Sequence, residues 1–149
     1  MAIISLNTGL RRGELFNLTW AEVDFQQKTL TVVGEGAKSD QTRHIPLNKE
    51  AFETIKAWKE QSTGQSIIFP SQTGGIMDNV KKSWDGVLKA AEVSSFRWHD
   101  LRHTFASKLA MKGVPLNTIR DLLGHADLKM TLRYAHLTPD TKAAAVELI

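Results

Sequence analysis

Residues 99–113 read HDLRHTFASKLAMKG. Apolar side chains recur in this segment at every fourth position, at Leu101, Phe105 and Leu109. That spacing forms one face of an α-helix, and Gly113 is typical of the residue that ends a helix. His99 and Arg102 are three residues apart near the start of the segment, so they share a face. We therefore expect a core helix that presents a histidine–arginine pair near its first turn.

Helical patterns also flank this segment on both sides. A first helix is expected over residues 2–7, closed by Gly9, and a second over residues 11–18. Two longer helices are expected after the caps Asn48 and Asp78. The apolar face of the helix after Asn48 is formed by Phe52, Ile55 and Trp58. That of the helix after Asp78 is formed by Val80, Trp84, Val87, Leu88 and Ala91. A short helix is expected to end at Gly124, and Thr138-Pro139 is expected to open a last one toward residue 149. The apolar positions of the short helix are Leu116, Ile119, Leu122 and Leu123.

Strand patterns are fewer and shorter. Residues 29–33 alternate and contain β-branched side chains, and residues 42–45 form a second run that Pro46 ends. The polar stretch 34–41 between them indicates a hairpin, and residues 66–69 are a third strand candidate. The fold class predicted from these elements is α+β: one domain over residues 1–149, mostly helical, with a small three-stranded antiparallel sheet.

Composition excludes several classes of protein. With 149 residues, 42% of them apolar, the chain is long enough for an ordinary core. It has no cysteine, and therefore neither disulfides nor thiolate chemistry. No apolar run approaches the ~20 residues of a membrane span, so we expect no membrane association, and we expect a cytoplasmic location. The net charge of +3 is mild, but residues 97–133 carry seven Lys or Arg against three acids. This region is either a solvated basic face or a surface that binds a polyanion.

Several side chains could take part in chemistry, and each also has an ordinary structural explanation. Arg11 stands where a helix begins, a position that suits an anion, although it could equally be a surface arginine held by Glu14. Lys38 lies in the polar hairpin turn, where lysines are usually solvated. His125 follows a glycine stop and could be a capping histidine. Tyr134 is the only tyrosine; as a nucleophile it would need a base and a cationic setting, because a phenol has a pKa of ~10.

A metal site is a further alternative. His99 and His103 have the i, i+4 spacing that can bind zinc. The chain has no cysteine to complete such a site, no His-Glu-x-x-His frame, and an arginine, Arg102, between the two histidines. We therefore expect no metal and no other cofactor.

Taken in chain order, four segments resemble the catalytic domain of the tyrosine recombinase (phage integrase) family. They are TGLRRGEL at residues 8–15, AKSDQTRHIPL at 37–47, HDLRHTFA at 99–106, and LLGH at 122–125 followed by RYAH at 133–136. The resemblance extends from about residue 3 to residue 149. It implies a DNA breaking-and-rejoining fold and a site-specific recombinase or integrase that acts on double-stranded DNA through a 3′-phosphotyrosyl intermediate, without metal or ATP.

The resemblance also implies a role for each catalytic residue. Tyr134 would attack the scissile phosphate, and Arg11 and Arg102 would hold its non-bridging oxygens. Lys38 would protonate the leaving 5′-oxygen; we choose it because it lies eight residues before Pro46, whereas Glu35 occupies a position where many relatives carry lysine. His99 would help to deprotonate Tyr134 and His125 would donate a hydrogen bond to the phosphate.

Two further expectations concern the whole protein. The chain begins ten residues before Arg11, so we expect the amino-terminal domain that clamps the other face of the duplex to be absent. In the full-length protein we expect a homotetramer on DNA, associated with the nucleoid when bound. Two rival functions remain open: a relaxing type IB topoisomerase, which shares this chemistry, and a DNA-binding remnant without catalysis.

Overall fold

The computed structural model describes residues 1–34, 42–62, 64–140 and 142–148. Its first half contains helices α1 (Ala2–Thr8) and α2 (Arg12–Asn17), strands β1 (Val23–Asp24), β2 (Thr29–Val32) and β3 (Arg43–Pro46), and helix α3 (Lys49–Glu60). The second half is helical: α4 (Lys81–Ala90), α5 (Asp100–Met111), α6 (Leu116–Leu123), α7 (Lys129–Leu132) and α8 (Lys142–Val146). Short 3-10 turns lie at Trp20–Glu22 and Ala135–Leu137.

The sheet is three-stranded and antiparallel, in the order β1-β2-β3, which confirms the predicted fold class. Leu30 pairs with Val23 on one side and Ile45 on the other, so the three strands bury their apolar residues on one face. The prediction of the third strand was wrong. Residues 66–69 make a single bridge, between Ile67 and Thr19, whereas β1 supplies the third strand.

Tertiary contacts explain this difference. Ile68 is buried, and its carbonyl oxygen accepts a 2.6 Å hydrogen bond from the indole of Trp58 on α3. That carbonyl is therefore engaged by a side chain, and the segment passes over the core instead of extending the sheet. Strand β1 was not predicted, because two residues are too few to show a periodic pattern. A tight turn follows it, in which the Asp24 side chain accepts from the backbone N–H groups of Gln26 and Gln27.

Most predicted helices are confirmed, with two corrections at their starts. Helix α4 begins at Lys81, and the side chain that accepts from its first N–H is Asn79 (2.7 Å), not Asp78. Helix α8 begins at Lys142, not at Thr138-Pro139. The Thr138 hydroxyl donates to the carbonyl oxygen of Ala135 (2.7 Å) at the end of the preceding turn. Helix α7 was not predicted, because four residues are too short to show a period.

Helix α1 connects the two halves of the core, because it contacts both α3 and α5. The first core cluster lies around α1, the sheet and α3, and the second lies around α5 and α6. Gly9, in the left-handed conformation (φ 66°), ends α1 against Phe105 of α5, where a Cβ atom would lie 2.5 Å from the ring. Only glycine allows this approach, and it brings the start of α2 close to α5.

Within the described ranges, no helix is both long and apolar enough to cross a membrane.

Candidate active site

The carboxyl-terminal end of α6 gathers three arginines. The last carbonyl groups of a helix lack partners within the helix, and here three successive ones accept from guanidinium groups. The carbonyl oxygens of Leu122, Leu123 and Gly124 accept from Arg43 (3.1 Å), Arg102 (2.6 Å) and Arg11 (2.9 Å), respectively. The negative end of the helix dipole also favours cations at this position. One helix end therefore holds three positive charges side by side.

Arg102 is the most deeply buried of the three, with 3% of its surface exposed. Besides the Leu123 carbonyl, its guanidinium donates to the carbonyl oxygen of Gly9, at 2.6 Å. Arg102 therefore connects the end of α1 with the end of α6. Burial, and then the neighbouring charge of Arg11, lower the pKa of Arg102 to about 10. It is therefore still cationic at neutral pH. Its two bonds use only some of the guanidinium N–H donors, which leaves others for a ligand.

Arg11 occupies the cap position of α2, as its place after Gly9 predicted. Its guanidinium donates to Glu14 (2.8 Å) as well as to the Gly124 carbonyl, and its backbone N–H donates to the other oxygen of Glu14 (2.7 Å). The Arg11 side chain is 40% exposed and lines a cleft of about 1170 Å³ that also reaches His125. Glu14 therefore fixes the direction of an arginine that a ligand can reach.

Arg43 is a site residue that no sequence motif singled out. Its guanidinium donates to both carboxylate oxygens of Glu14, at 3.1 and 2.7 Å. Glu14 therefore accepts from two arginines, Arg43 and Arg11. Burial would raise the pKa of Glu14, but the hydrogen bonds and charges of Arg43 and Arg11 outweigh burial and lower it. A signal was present: β3 alternates, so Arg43 shares the inward face of the strand with Ile45.

His125 follows the glycine that ends α6 in the left-handed conformation (φ 63°). Its Nδ1 lies 2.9 Å from the hydroxyl of Thr131, which is fully buried. Burial, followed by the charges of Arg102, Arg11 and Arg43, lowers the pKa of His125 to about 4. The imidazole is therefore neutral at physiological pH, with Nδ1 engaged and Nε2 left for another partner.

Tyr134 belongs to the second core cluster and is only 5% exposed. Its hydroxyl lies 2.6 Å from Nδ1 of His103. Burial raises the pKa of Tyr134, while the charges of Arg133 and Arg102 act in the opposite direction. His99, the residue predicted to act on this phenol, is exposed and meets His103 edge to face, with ring centroids 4.8 Å apart. In the sequence, His103 stands out only as half of a possible zinc pair; its position one turn after His99 was the available signal.

Five of the six predicted site residues lie close together in the structure. A pocket of about 220 Å³ is lined by four of them, together with residues of α5 and α7. The four are His99, Arg102, His125 and Tyr134. Arg11 joins them through the end of α6. Lys38 lies outside the described residues. Within the residues that the structure does describe, no group of three or more His, Asp or Glu side chains could hold a metal ion.

Comparison with known proteins identifies the family. The sequence profile of the "Phage integrase family" matches residues 1–141. This chain belongs to the phage integrase family. Among curated relatives, the integrase of Salmonella phage P22 is 33% identical over 147 residues, and a XerC-like tyrosine recombinase of Caldanaerobacter subterraneus is 30% identical over 185 residues. The matches cover 91% and 99% of this chain but 38% and 47% of those proteins. This family member therefore spans less than half the length of either relative.

Solved structures of family members share the fold. The integrase of transposon Tn1549, in complex with a circular intermediate DNA, has a TM-score of 0.84 and 25% identity, covering 99% of this chain and 57% of that one. The XerA recombinase has a TM-score of 0.79 and 28% identity, covering 99% and 55%. The catalytic domain of bacteriophage HP1 integrase has a TM-score of 0.70 and 28% identity, covering 98% and 79%. The predicted family and fold are confirmed.

Proposed function

We propose that this chain is the catalytic part of a site-specific DNA recombinase that cuts and rejoins strands through Tyr134. The observation that carries the proposal is the position of the only tyrosine: its hydroxyl is bonded to an imidazole and lines the same pocket as the buried Arg102. A phenol needs a base and a cationic setting to act as a nucleophile, and both are present here. The similarity to an integrase in complex with DNA supports double-stranded DNA as the substrate.

The arginines suit a phosphodiester. Arg11 and Arg102 are held next to each other by neighbouring carbonyls, and each keeps N–H donors that those bonds do not use. A planar guanidinium fits the non-bridging oxygens of a phosphate. Glu14 is the one acidic side chain bonded to Arg11 and Arg43 among the described residues, so the site retains an excess of positive charge. That excess would stabilise the charge that builds up on the phosphoryl oxygens during transfer.

The reaction needs no cofactor to balance. The Tyr134 oxygen forms a bond to phosphorus as the bond from phosphorus to the 5′-oxygen breaks, and the strand end becomes a 3′-phosphotyrosyl ester. We assign Lys38 to protonate the leaving 5′-oxygen, and the two histidines at the start of α5, His99 and His103, to assist proton removal from Tyr134. Neutral His125 would donate from Nε2 to a phosphate oxygen, because its Nδ1 is engaged with Thr131. The ester conserves the energy of the cut bond, and a 5′-hydroxyl can reverse the step.

In the full-length protein we propose that four copies assemble on DNA, and that the bound protein lies in the cytoplasm on the nucleoid. For this chain alone, we expect weak and steeply salt-dependent binding. Its contacts would lie on one face of the duplex and mostly on phosphates, so counterion release would dominate the affinity.

The proposal can be tested with a pool of nicked duplexes of random sequence, in which the short fragment beyond the cut diffuses away and traps the covalent ester. Wild-type chain should yield protein–DNA adducts on denaturing gels, and sequencing of the trapped DNA should reveal the preferred site. Tyr134→Phe should yield none and should bind DNA as well as the wild type does, because only the nucleophilic oxygen is lost. Adducts with Tyr134→Phe would show that another residue is the nucleophile.

The same substrates separate the rival functions. A DNA-binding remnant would bind the pool and trap nothing. A topoisomerase would relax a supercoiled plasmid of any sequence, whereas a recombinase would join strands between two copies of the recovered site. Cleavage should also continue in EDTA, and its restoration by zinc or magnesium after a loss in EDTA would contradict the metal-free chemistry.

A further inference from the structure

The nucleophile candidate has a specific polar partner. Tyr134 belongs to a buried cluster of α5 and α6 side chains, whose other buried members are Ala106, Ala110, Ile119 and Leu123. Only 5% of the Tyr134 surface is exposed, so the ring is held mostly by its neighbours. Within the part of the chain that the structure describes, the hydrogen bond of the Tyr134 hydroxyl is with Nδ1 of His103, at 2.6 Å. An O–H to N contact this short is a well-formed bond.

His99 stands one step further away. It lies at the start of α5, is exposed, and contacts the His103 ring edge to face, at 4.8 Å between centroids. His103 is one helical turn later and half-buried, between His99 and the phenol. The order across the site is therefore His99, His103, Tyr134, and only the middle residue touches the reacting oxygen.

We propose that Nδ1 of His103 takes the proton of Tyr134 as the phenol attacks the phosphate, and returns it when the strand is rejoined; this inference rests on the proposed function. The O–H bond breaks and its electron pair stays on oxygen, which forms the bond to phosphorus. The bond between phosphorus and the 5′-oxygen breaks, and its electron pair leaves with the 5′-oxygen. That oxygen then takes a proton from Lys38. Because a phenol holds a proton much more tightly than an imidazolium does, transfer to His103 accompanies the attack.

The surroundings of His103 keep it able to accept. Burial, and then the charges of His99 and Arg133, lower its pKa, with Asp100 acting in the opposite direction. A neutral imidazole that accepts at Nδ1 carries its proton on Nε2. The charged and titratable groups around it come from α5, the end of α6 and α7: His99, Asp100, Arg102, His125, Lys129, Arg133 and Tyr134. Most of these groups are cationic or neutral, and nearby positive charge opposes protonation of His103. The imidazole therefore gains a proton only in acid, and cleavage should slow once it is protonated.

The contact itself can be tested without DNA, by nitrogen NMR of the imidazoles in the full chain. Tyr134→Phe removes the only phenol in the protein, so the Nδ1 signal of His103 should move, while that of His44, on β3, stays in place. An unchanged His103 signal would overturn the inference. This outcome does not depend on cleavage, so it is distinct from a failure of the proposed function, in which wild-type chain traps no DNA.

Kinetics then separate proton transfer from positioning, using the duplex recovered from the random pool. His103→Ala should slow adduct formation by about 10²–10⁴-fold, the usual value of general acid–base help, and should abolish the fall in rate at acid pH. In His103→Asn the side-chain oxygen lies near the position of Nδ1, so it can accept the hydrogen bond but cannot take the proton. This variant should bind DNA normally and remain as slow as His103→Ala.

The matched control is His136→Ala, which removes an exposed histidine two residues after Tyr134 and should leave the rate unchanged. Full recovery of the rate in His103→Asn would show that His103 only positions the phenol, and would overturn the proposal. A fall in rate at acid pH that survives in His103→Ala but disappears in His99→Ala would likewise overturn it, in favour of His99.

Discussion

The guanidinium of Arg43 lies against Gly124, so close that a Cβ atom on the glycine would be 2.8 Å from Nη1. The glycine is also in the left-handed conformation, with φ 63°. Both the backbone conformation and the arginine therefore disfavour a side chain at this position. The relationship matters for function because the carbonyl of the same glycine holds Arg11.

Gly124→Ala should destabilise the protein by about 1–2 kcal/mol from the backbone conformation alone, with a further loss because Arg43 must move. Urea unfolding measures the change. Gly86→Ala is the matched control: Gly86 lies inside α4 with open space around its Cα, so alanine there should stabilise the protein by about 0.5–1 kcal/mol. Equal effects of the two substitutions would contradict the assigned packing.

Glu14→Gln should reduce the free energy of unfolding at neutral pH by about 1.5–3 kcal/mol, because it removes the charged acceptor that joins Arg11 and Arg43. The pKa of Glu14 is lowered from 4.5, so its contribution is complete above that pH and is lost as the pH falls through the folded-state value. The gap between variant and wild type should therefore narrow in acid. Glu22→Gln is the control, since Glu22 also accepts from a backbone N–H, that of Thr19, but pairs with no arginine among the described residues.

Arg102→Ala and Arg11→Ala should lower the free energy of unfolding by different amounts, but both should slow cleavage. Loss of Arg102 leaves the carbonyls of Gly9 and Leu123 without their donor, at about 1–3 kcal/mol for each buried acceptor. Arg11 is 40% exposed, so water can replace it and the loss should be about 0–1 kcal/mol. Both variants, assayed while folded, should slow cleavage far more than they weaken DNA binding. A loss confined to binding would reduce them to ordinary backbone contacts.

His125 should make the protein less stable in mild acid. Its pKa is about 4 in the folded chain against an ordinary value of 6.5. Between these values the unfolded chain binds a proton that the folded chain does not, so stability is full above about pH 6.5 and declines as the pH falls toward 4. His125→Gln should flatten this part of the curve of unfolding free energy against pH. His44→Gln, which removes an exposed histidine bonded to Thr31, should leave the slope in place.

Lys38→Ala should cleave ordinary DNA about 10²–10⁴-fold more slowly if Lys38 is the general acid. A substrate with sulfur in place of the bridging 5′-oxygen should restore the rate, because a thiolate with a pKa of about 8.5 for its conjugate acid leaves without a proton. Arg11→Ala should show no such rescue, since its proposed role is on the non-bridging oxygens. Failure of sulfur to rescue Lys38→Ala would show that Lys38 is not the general acid.

Local patterns in the sequence determined the helices around the site and the residues that could do chemistry. Gly9, Gly113 and Gly124 all adopt positive φ and end helices where the patterns placed them, because a glycine stop depends on backbone sterics that a short segment already contains. The chain order of the four family-like segments, with Tyr134 as the only tyrosine, likewise indicated that their functional residues form a single site.

Only the tertiary structure decided which side chains meet. Arg11 and the Gly124 carbonyl are 113 positions apart, and Arg43 and the Leu122 carbonyl are 79 apart. Spacing along the chain says nothing about such pairs, because they depend on how α6 packs against α5 and β3. The same packing turns His103 toward Tyr134 and leaves His99 exposed, although both histidines lie on one side of α5. A helical period can place two residues on a face, but the neighbour that covers that face decides which one touches Tyr134.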